Sequence, residues 1–307
     1  PDKVAPYFGT VEKPECHMLY NVTTMATTWN TVATRDIRLL RKQMDIVCAL
    51  PREYTFLNYL RCHDDIGWGL DYDTLKTWGM EEVPHKKYLN DYFQGKTEGS
   101  VSRGELYNED LVTGDARFCA TTASMCGVES AGFEQDEQKM DQAITKDVML
   151  HAYMFTQSGI PMLYSGDEIG QVNDYTYKDD PEKAPDSRYI HRGKFNWDLV
   201  DNIENKESVQ GKIFQALDKL EAIRRNEAVF NTDAEVYTKD YSDQSVLWII
   251  RRAEGEELHA VFNFSDYPKT IWMPETAEYT DLLTGKKAEV TTVDLPGWGF
   301  FWMKKKL

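Results

Sequence analysis

The sequence predicts an α/β fold in which part of a parallel, barrel-type sheet is followed by an antiparallel β domain. Up to about residue 226, short apolar runs alternate with segments whose apolar residues recur at helical spacing. This alternation is typical of parallel strands covered by helices. After Asn226 the helical spacing gives way to short β-rich segments separated by turn residues, which is typical of an antiparallel sheet. A chain of 307 residues is long enough for two such domains.

Three short apolar runs, residues 16–20, 54–61 and 160–164, are predicted to be buried barrel-type strands. Helical spacing predicts one helical segment from Met25 to Val47, which Pro51 ends, and further helices marked by 140–155 and 213–223. A closed barrel of this type needs eight strands. The chain therefore predicts only part of a barrel.

A long segment between these elements lacks sustained periodicity and is rich in Gly, Asp, Glu, Tyr and Trp. Stretches of this length are usually functional insertions or small subdomains. We predict a partial barrel domain over residues 1–228, a subdomain inserted at about 66–136, and an all-β domain over 229–307. The segments SVLWII, HAVFNF and TIWM are predicted strands of the last domain.

Composition narrows the class of partner. The net charge is −16, from 51 acidic and 35 basic residues, which disfavours nucleic acid and anionic membranes. The charge fits a neutral substrate and a cytoplasmic protein, although acidity that only aids solubility explains it equally well.

There is no apolar run of about 18 residues, so no membrane span is expected. The five cysteines show no metal-ligand spacing, and neither a metal nor a cofactor is expected.

Three polar residues, His63, Asp64 and Asp65, directly follow the predicted strand 54–61. Barrel enzymes build their sites at this end of the strands. A carboxylate there can stabilise an oxocarbenium-like transition state, and an imidazole can donate to sugar hydroxyls. Trp68 offers an apolar face for a pyranose ring. Adjacent carboxylates that are merely solvated or cap a helix are the alternative interpretation.

The motif LNYLRCHDDIGW resembles the fourth signature segment of the α-amylase family (glycoside hydrolase family 13), and its doubled Asp followed by IGW is similar to the amylosucrase-like members. TGDAR at 113–117, GIPMLYSGDEIG at 159–170, DSRYIHR at 186–192 and NFSDYP at 263–268 resemble further segments of these enzymes in the same order. The resemblance covers nearly the whole chain. It implies strands six to eight of the (β/α)8 barrel, that is, its C-terminal part, followed by the β domain.

The resemblance implies glucosyl transfer from sucrose to an α-glucan or maltooligosaccharide by a retaining mechanism. A sucrose hydrolase, α-amylase or α-glucosidase is the alternative within the family. A non-catalytic sugar-binding or structural fragment is the alternative of another class.

Residue roles carried over by position are also implied by the resemblance. His63 and Asp64 would be catalytic, with Asp64 stabilising the transition state around the glucosyl unit. Asp65 would face the next subsite. Arg117 would contact the acceptor or oligosaccharide units, and Arg188 would form a salt bridge at the pocket floor.

Two positions depart from the family pattern. Lys86 stands where Arg is frequent, and Tyr88 where Phe is usual. Both are expected to bind substrate together with Trp68. Because Lys cannot make the bidentate grip of Arg, acceptor preference is left open.

The nucleophile motif G-x-R-x-D does not occur in this sequence, and the family's Glu acid/base would lie before Pro1. The chain by itself is therefore expected to be inactive, and its partner is expected to be a missing N-terminal half or a second copy. Other acidic and histidine positions are expected to be structural: Asp167, Glu168 and His151. A cation site at 179–182 is a further alternative.

Overall fold

The computed structural model describes residues 2–10 and 12–307, so Pro1, the start of the predicted barrel domain, lies outside the described residues. The α-helices are α1 (Val22–Thr34), α2 (Arg38–Cys48), α3 (Tyr72–Thr77), α4 (Glu82–Phe93), α5 (Thr122–Cys126), α6 (Val128–Glu134), α7 (Glu137–Thr156) and α8 (Val209–Asn226). The strands are β1 (Met18–Tyr20), β2 (Thr55–Asn58), β3 (Glu105–Tyr107), β4 (Arg117–Cys119), β5 (Ile160–Pro161), β6 (Glu235–Lys239), β7 (Val246–Ala253), β8 (Glu256–Asn263), β9 (Lys269–Asp281), β10 (Lys287–Leu295) and β11 (Phe300–Lys306).

The predicted barrel strands form a parallel sheet with the order β1-β2-β5. Each strand is shorter than its apolar run. In β5 the pairing continues through Met162, whose N–H donates to the Asn58 carbonyl at 2.8 Å. The chain then turns at Gly166, which has a φ of +97°. The carboxyl ends of β2 and β5 consequently meet at one edge of the sheet.

The segment predicted as one helix from Met25 to Val47 contains two helices, α1 and α2. The break lies at Arg35, whose φ of 61° is left-handed and ends α1. Tertiary contacts hold this conformation, since the Arg35 guanidinium contacts Asp266 at 3.0 Å and lies 4.6 Å from the Trp298 ring centroid. The local sequence contains no Gly or Pro that would signal the break.

The segment 66–136 folds into short elements, α3 to α6 and the antiparallel pair β3–β4. Ile66 joins it to the strand edge, because its backbone exchanges hydrogen bonds with Phe118 at 2.5 and 2.8 Å. Inside, Phe93 packs against Trp68 and Phe118, and also against Trp29 of α1. This packing fixes the segment above the carboxyl end of β2.

The C-terminal segment forms a six-stranded antiparallel sheet in the order β10-β9-β11-β8-β7-β6 within the described residues. One face packs on α7, where the Trp302 indole donates to the Thr156 hydroxyl at 3.0 Å and Tyr153 contacts Phe262. The opposite face has its own core around Trp248 and Tyr279. The exact division at residues 228/229 remains a prediction. Among the described helices, none is both long and apolar enough to cross a membrane.

Candidate active site

The loop that follows β2 carries the polar residues predicted to be functional. It begins at Tyr59 and reaches Trp68, and it lies at the carboxyl edge of the parallel sheet. His63 and Asp64 are exposed, with 62% and 52% of their side-chain surfaces accessible. Exposed polar groups at this edge are available to a ligand.

Asp64 is the centre of an ionic cluster. Its Oδ1 accepts hydrogen bonds from Arg188 Nη1 at 2.8 Å and from Arg192 Nη2 at 2.6 Å. Its Oδ2 lies 3.2 Å from His63 Nε2. Because Asp64 is half exposed, solvent screens these attractions, and their main effect is to orient the carboxylate.

Arg188 links Asp64 to two other segments. Its Nε and Nη2 bind the Asp186 carboxylate at 2.9 and 2.8 Å, and its guanidinium lies 4.5 Å from the Tyr107 ring centroid. The hydrogen bond from Arg188 holds the pKa of Asp186 below its usual range. The predicted salt bridge of Arg188 thus has two carboxylate partners, while its closing of a pocket floor remains a prediction.

His191 and Arg192 hold the backbone of the same loop. Arg192 Nε donates to the His63 carbonyl at 2.8 Å. The ring nitrogens of His191 lie 3.1 Å from the carbonyls of His63 and Ala120. Burial lowers the pKa of His191 to about 4, so at pH 7 the ring is neutral and donates to one carbonyl only. Sequence reasoning missed both residues, although they belong to the DSRYIHR motif.

A cleft of about 750 Å³ opens beside Asp64. The loop after β2, the helices α3 and α4, the β3–β4 pair and the loop after β5 all contribute to its walls. Of the predicted site residues, the cleft contains Asp64, Trp68, Lys86, Arg117 and Arg188. A space of this size accommodates a small saccharide.

Lys86 lies in the cleft wall, where two carboxylates pair with its ammonium group. It is 7% exposed, and its Nζ contacts Glu82 at 2.5 Å and Asp115 at 2.7 Å. Burial alone would lower the pKa of Lys86, but the hydrogen bonds to Asp115 and Glu82 outweigh burial and raise it. The ammonium is therefore held by protein carboxylates.

Arg117 differs from the other cations of the cleft. Its backbone pairs with Gly67, and its guanidinium lies over that glycine, where an added Cβ would be 2.2 Å from Nη1. Among the side chains that the structure describes, no carboxylate lies within salt-bridge distance of Arg117. Its donors remain available to a ligand.

Two aromatic predictions need correction. Trp68 is only 4% exposed, since its ring stacks on Phe93 at 5.4 Å and its indole N–H donates to Asn90 Oδ1 at 2.7 Å. It therefore cannot present a free face to a pyranose ring. Tyr88 lies outside the cleft, with its hydroxyl donating to the Ala33 carbonyl at 2.9 Å.

His63 and Asp65 also lie outside the cleft lining. Asp65 Oδ2 accepts from the Cys62 thiol at 3.0 Å, and Asp65 further raises the pKa of Tyr59, which burial already elevates. Asp65 thus faces the underside of the loop in this structure. Burial raises the pKa of Cys62 to about 11, so the thiol stays protonated at neutral pH.

Beneath the loop, Arg61 and Asp167 form a buried ion pair at 2.6 Å, with side-chain exposures of 1% and 2%. The Thr122 hydroxyl donates to the second oxygen of Asp167 at 2.9 Å. This pair ties the loops after β2 and β5 together, so Asp167 acts structurally. Removing one partner of such a pair leaves an uncompensated charge.

Other polar groups are internal to the fold. His151 is buried beside Asp147, with its Nδ1 3.1 Å from Asp147 Oδ1. Asp180, in the predicted cation segment, is paired with Lys183 at 3.0 Å. In the part of the chain that the structure describes, no three His, Cys, Asp or Glu side chains form a group suited to a metal ion.

Comparison with known proteins relates this chain to enzymes that act on glucosides. It is 22% identical over 306 residues to glucosylglycerate phosphorylase from Escherichia coli, covering 99% of this chain and 50% of that protein. It is 20% identical over 292 residues to glucosylglycerate phosphorylase from Spirochaeta thermophila, covering 91% and 46%. The chain spans about half the length of the curated relatives it matches. Residues 248–300 match the β-galactosidase C-terminal domain family.

Solved structures show the same fold. Sucrose 6F-phosphate phosphorylase from Thermoanaerobacter thermosaccharolyticum superposes with a TM-score of 0.60 at 16% identity, covering 89% of this chain and 47% of that one. AmyP in complex with maltotriose superposes with a TM-score of 0.65 at 13% identity, covering 99% and 53%. The chain is thus similar in sequence to glucosylglycerate phosphorylases, and it shares with these solved structures a fold in which a partial parallel sheet is followed by an antiparallel sheet.

Proposed function

We propose that this chain forms the glucosyl-binding wall of an amylosucrase-like transglucosidase of the α-amylase family. The reaction is transfer of glucose from sucrose to an α-glucan or maltooligosaccharide with retention of configuration. The observation that carries the proposal is Asp64, an exposed carboxylate at the carboxyl end of a parallel strand, with two guanidinium groups on one of its oxygens.

The contacts of Asp64 favour transition-state stabilisation over nucleophilic attack. Arg188 and Arg192 occupy Oδ1, which makes that oxygen a poor nucleophile, while Oδ2 keeps lone pairs for sugar hydroxyls. A carboxylate fixed in this way stabilises positive charge that develops at the anomeric carbon. Retaining transfer also needs a nucleophile and an acid/base about 5–5.5 Å apart. In the proposal, an N-terminal half of the enzyme supplies both.

Arg117 favours a second candidate function. A guanidinium that pairs with no carboxylate among the described side chains, and that lies beside a proposed glucosyl site, suits an anionic co-substrate such as phosphate or an organic acid. Glucosyl transfer to or from such an anion would use Arg117 for the anion and Asp64 for the sugar. The phosphorylase relatives support this candidate.

Binding of sugars to the 307-residue chain tests the proposal. Saturation-transfer NMR with maltotriose and sucrose should give signals that Asp64→Asn reduces, because the variant removes the charge and keeps the shape. Asp218→Asn, which changes an exposed carboxylate of α8, is the matched control and should behave as the parent. Equal signals from parent and Asp64→Asn would refute the role of Asp64.

Two further measurements separate the candidates. The line width of the 31P signal of inorganic phosphate measures its binding. If the second candidate function, with an anionic co-substrate, is correct, phosphate should bind the parent and not the Arg117→Gln variant. Glucose and fructose release from sucrose by the chain alone should be absent, and rapid release would refute the assignment of nucleophile and acid/base to another segment.

A further inference from the structure

A second cleft, of about 860 Å³, lies next to the Asp64 site on the loop that follows β5. We call it the Trp197 cleft and define it by Gln171, Asp174, Tyr189, Arg192, Asn196 and Trp197, which all lie in its lining. This segment has 3₁₀ turns and no long helix or strand. None of the roles assigned above accounts for its exposed aromatic and polar groups.

Trp197 is 73% exposed, which is unusual for the largest apolar side chain. Its ring packs by an edge-type contact on Phe195, with centroids 4.8 Å apart. The backbone beneath is anchored, since Gln171 accepts from Asn196 N–H and donates to the Lys194 carbonyl, both at 3.0 Å. The indole is therefore presented to solvent on a fixed support, and a flat apolar ligand surface can stack on it.

Polar groups able to bind hydroxyls surround the indole. Asp174 uses Oδ1 to accept from Thr176 N–H at 2.9 Å. Its Oδ2 faces Gly193, where an added Cβ would lie 2.8 Å away, so the glycine keeps space beside this oxygen. Asn196 adds an exposed amide. Carboxylate and amide groups next to an aromatic ring match the alternating apolar faces and hydroxyl edges of a sugar.

The charges of the Trp197 cleft balance. Its lining contains three carboxylates and three cations: Asp174, Asp180, Asp198, Lys183, Arg192 and Lys194. A balanced lining does not concentrate either sign of ion. The cleft thus suits a neutral, polyhydroxylated ligand better than a polyanion.

The Trp197 cleft adjoins the Asp64 site through Arg192. This guanidinium binds Asp64 at 2.6 Å and lies 5.7 Å from the Tyr189 ring centroid. A side chain that lines the Trp197 cleft therefore binds the central carboxylate of the other cleft. A polymer bound in the Trp197 cleft would lie beside the glucosyl-transfer site.

We propose that the Trp197 cleft binds a neutral oligosaccharide, with one pyranose face on the Trp197 indole and hydroxyls on Asp174 and Asn196. The site would hold an α-glucan chain close to the centre where glucosyl units are transferred. The choice of an α-glucan rests on the proposed function, whereas the neutral sugar chemistry rests on the cleft itself.

Electrophoresis of the native 307-residue chain through gels with and without amylopectin tests the proposal. The parent should be retarded by amylopectin, and Trp197→Ala should weaken the apparent affinity about tenfold, which corresponds to about 1.4 kcal/mol. Trp197→Phe should restore much of the retardation because it keeps an aromatic face. Trp272→Ala is the matched control, since Trp272 is 65% exposed on β9 and lies in neither cleft.

The Asp64→Asn variant distinguishes the two sites. Retardation that is lost in Trp197→Ala and kept in Asp64→Asn supports the Trp197 cleft even if the proposed function fails. Retardation that is lost in Asp64→Asn and kept in Trp197→Ala overturns the Trp197 cleft while supporting the first site. No retardation of the parent, or equal losses in Trp197→Ala and Trp272→Ala, also overturns it. Near-ultraviolet circular dichroism checks that the variants are folded.

Discussion

The parallel and the antiparallel sheets of this protein differ in how well their own chain covers them. The parallel strands β1, β2 and β5 have three, four and two residues, and Met18, Tyr20 and Ile160 are 45%, 55% and 43% exposed. The antiparallel strands β7 and β8 have eight residues each, and most of them are buried. The strands β7 and β8 of the antiparallel sheet are thus covered on both faces, whereas the parallel strands leave apolar surface accessible.

The two sheets differ in what they contribute to the protein: one stabilises the chain and the other positions the loops of the candidate site. The antiparallel sheet supplies a large share of the hydrophobic core and contacts α7, so it stabilises the whole chain. The parallel sheet presents the loops that carry Asp64, Arg188 and Arg192. Exposed apolar side chains beside its strands are what a neighbouring protein surface would cover.

The largest expected effect concerns the contact between the antiparallel sheet and α7. Trp302→Ala should lower the free energy of unfolding by about 3–5 kcal/mol, because it leaves a cavity against Thr156 and Phe230. Trp272→Ala, on the exposed side of the same sheet, should change it by less than about 0.5 kcal/mol. Urea denaturation measures both, and similar losses would contradict the assigned core.

Two buried histidines, one in each region, predict acid sensitivity. Burial lowers the pKa of His191 and of His259 to about 4. The unfolded chain binds protons from about pH 6.5 downwards, so the free energy of unfolding should fall as pH drops from 6.5 to 4, on the order of 2 kcal/mol per histidine.

Replacing each histidine with glutamine tests which region causes the pH dependence of the unfolding free energy. His191→Gln and His259→Gln should each reduce the slope of the unfolding free energy between pH 4 and 6.5, as measured by urea denaturation. An unchanged slope in either variant would show that its histidine is protonated alike in both states. Separate unfolding transitions would show that the two sheets unfold independently.

The exposed apolar side chains of the parallel sheet predict self-association, as the sequence also led us to expect. Tyr20→Lys and Ile160→Lys should weaken association at least about tenfold by placing charges there. Trp272→Lys on the antiparallel sheet should leave it unchanged. Sedimentation velocity over a range of concentrations gives the association constants, and a monomeric parent would contradict the prediction.

The smallest effect is expected at the half-exposed Asp64 cluster. Arg192→Gln should cost less than about 1 kcal/mol of stability, since solvent screens the ion pair. It should nevertheless reduce maltotriose binding several-fold, because Asp64 loses part of its support. Arg225→Gln at the exposed end of α8 is the control in the same denaturation and NMR measurements.

Sequence patterns predicted the strands well where apolar runs were buried, as in β2, β7 and β8. They failed at the break between α1 and α2, because Arg35 takes its left-handed conformation from contacts with Asp266 and Trp298, far away in sequence. Local patterns do not contain such contacts.

The candidate site was predictable in part. The position of Asp64 after a strand could be read directly, because strand ends of a parallel sheet converge. The burial of Trp68 could not, since it depends on stacking with Phe93 of α4. Arg192 was overlooked for a related reason: its contact with Asp64 joins positions 128 residues apart.

Arg188 has a consequence for how the two sides of the cleft communicate. It binds Asp64 from the loop after β5, and the ring of Tyr107, from the inserted segment, covers its guanidinium. A ligand that displaces Tyr107 changes the environment of Arg188, and through it the orientation of Asp64. Such linkage is reciprocal, so a sugar held at Asp64, as proposed, would bias the position of Tyr107 by the same free energy. Under the proposed function, sugar binding at Asp64 and the position of Tyr107 are therefore thermodynamically coupled through the Arg188 guanidinium.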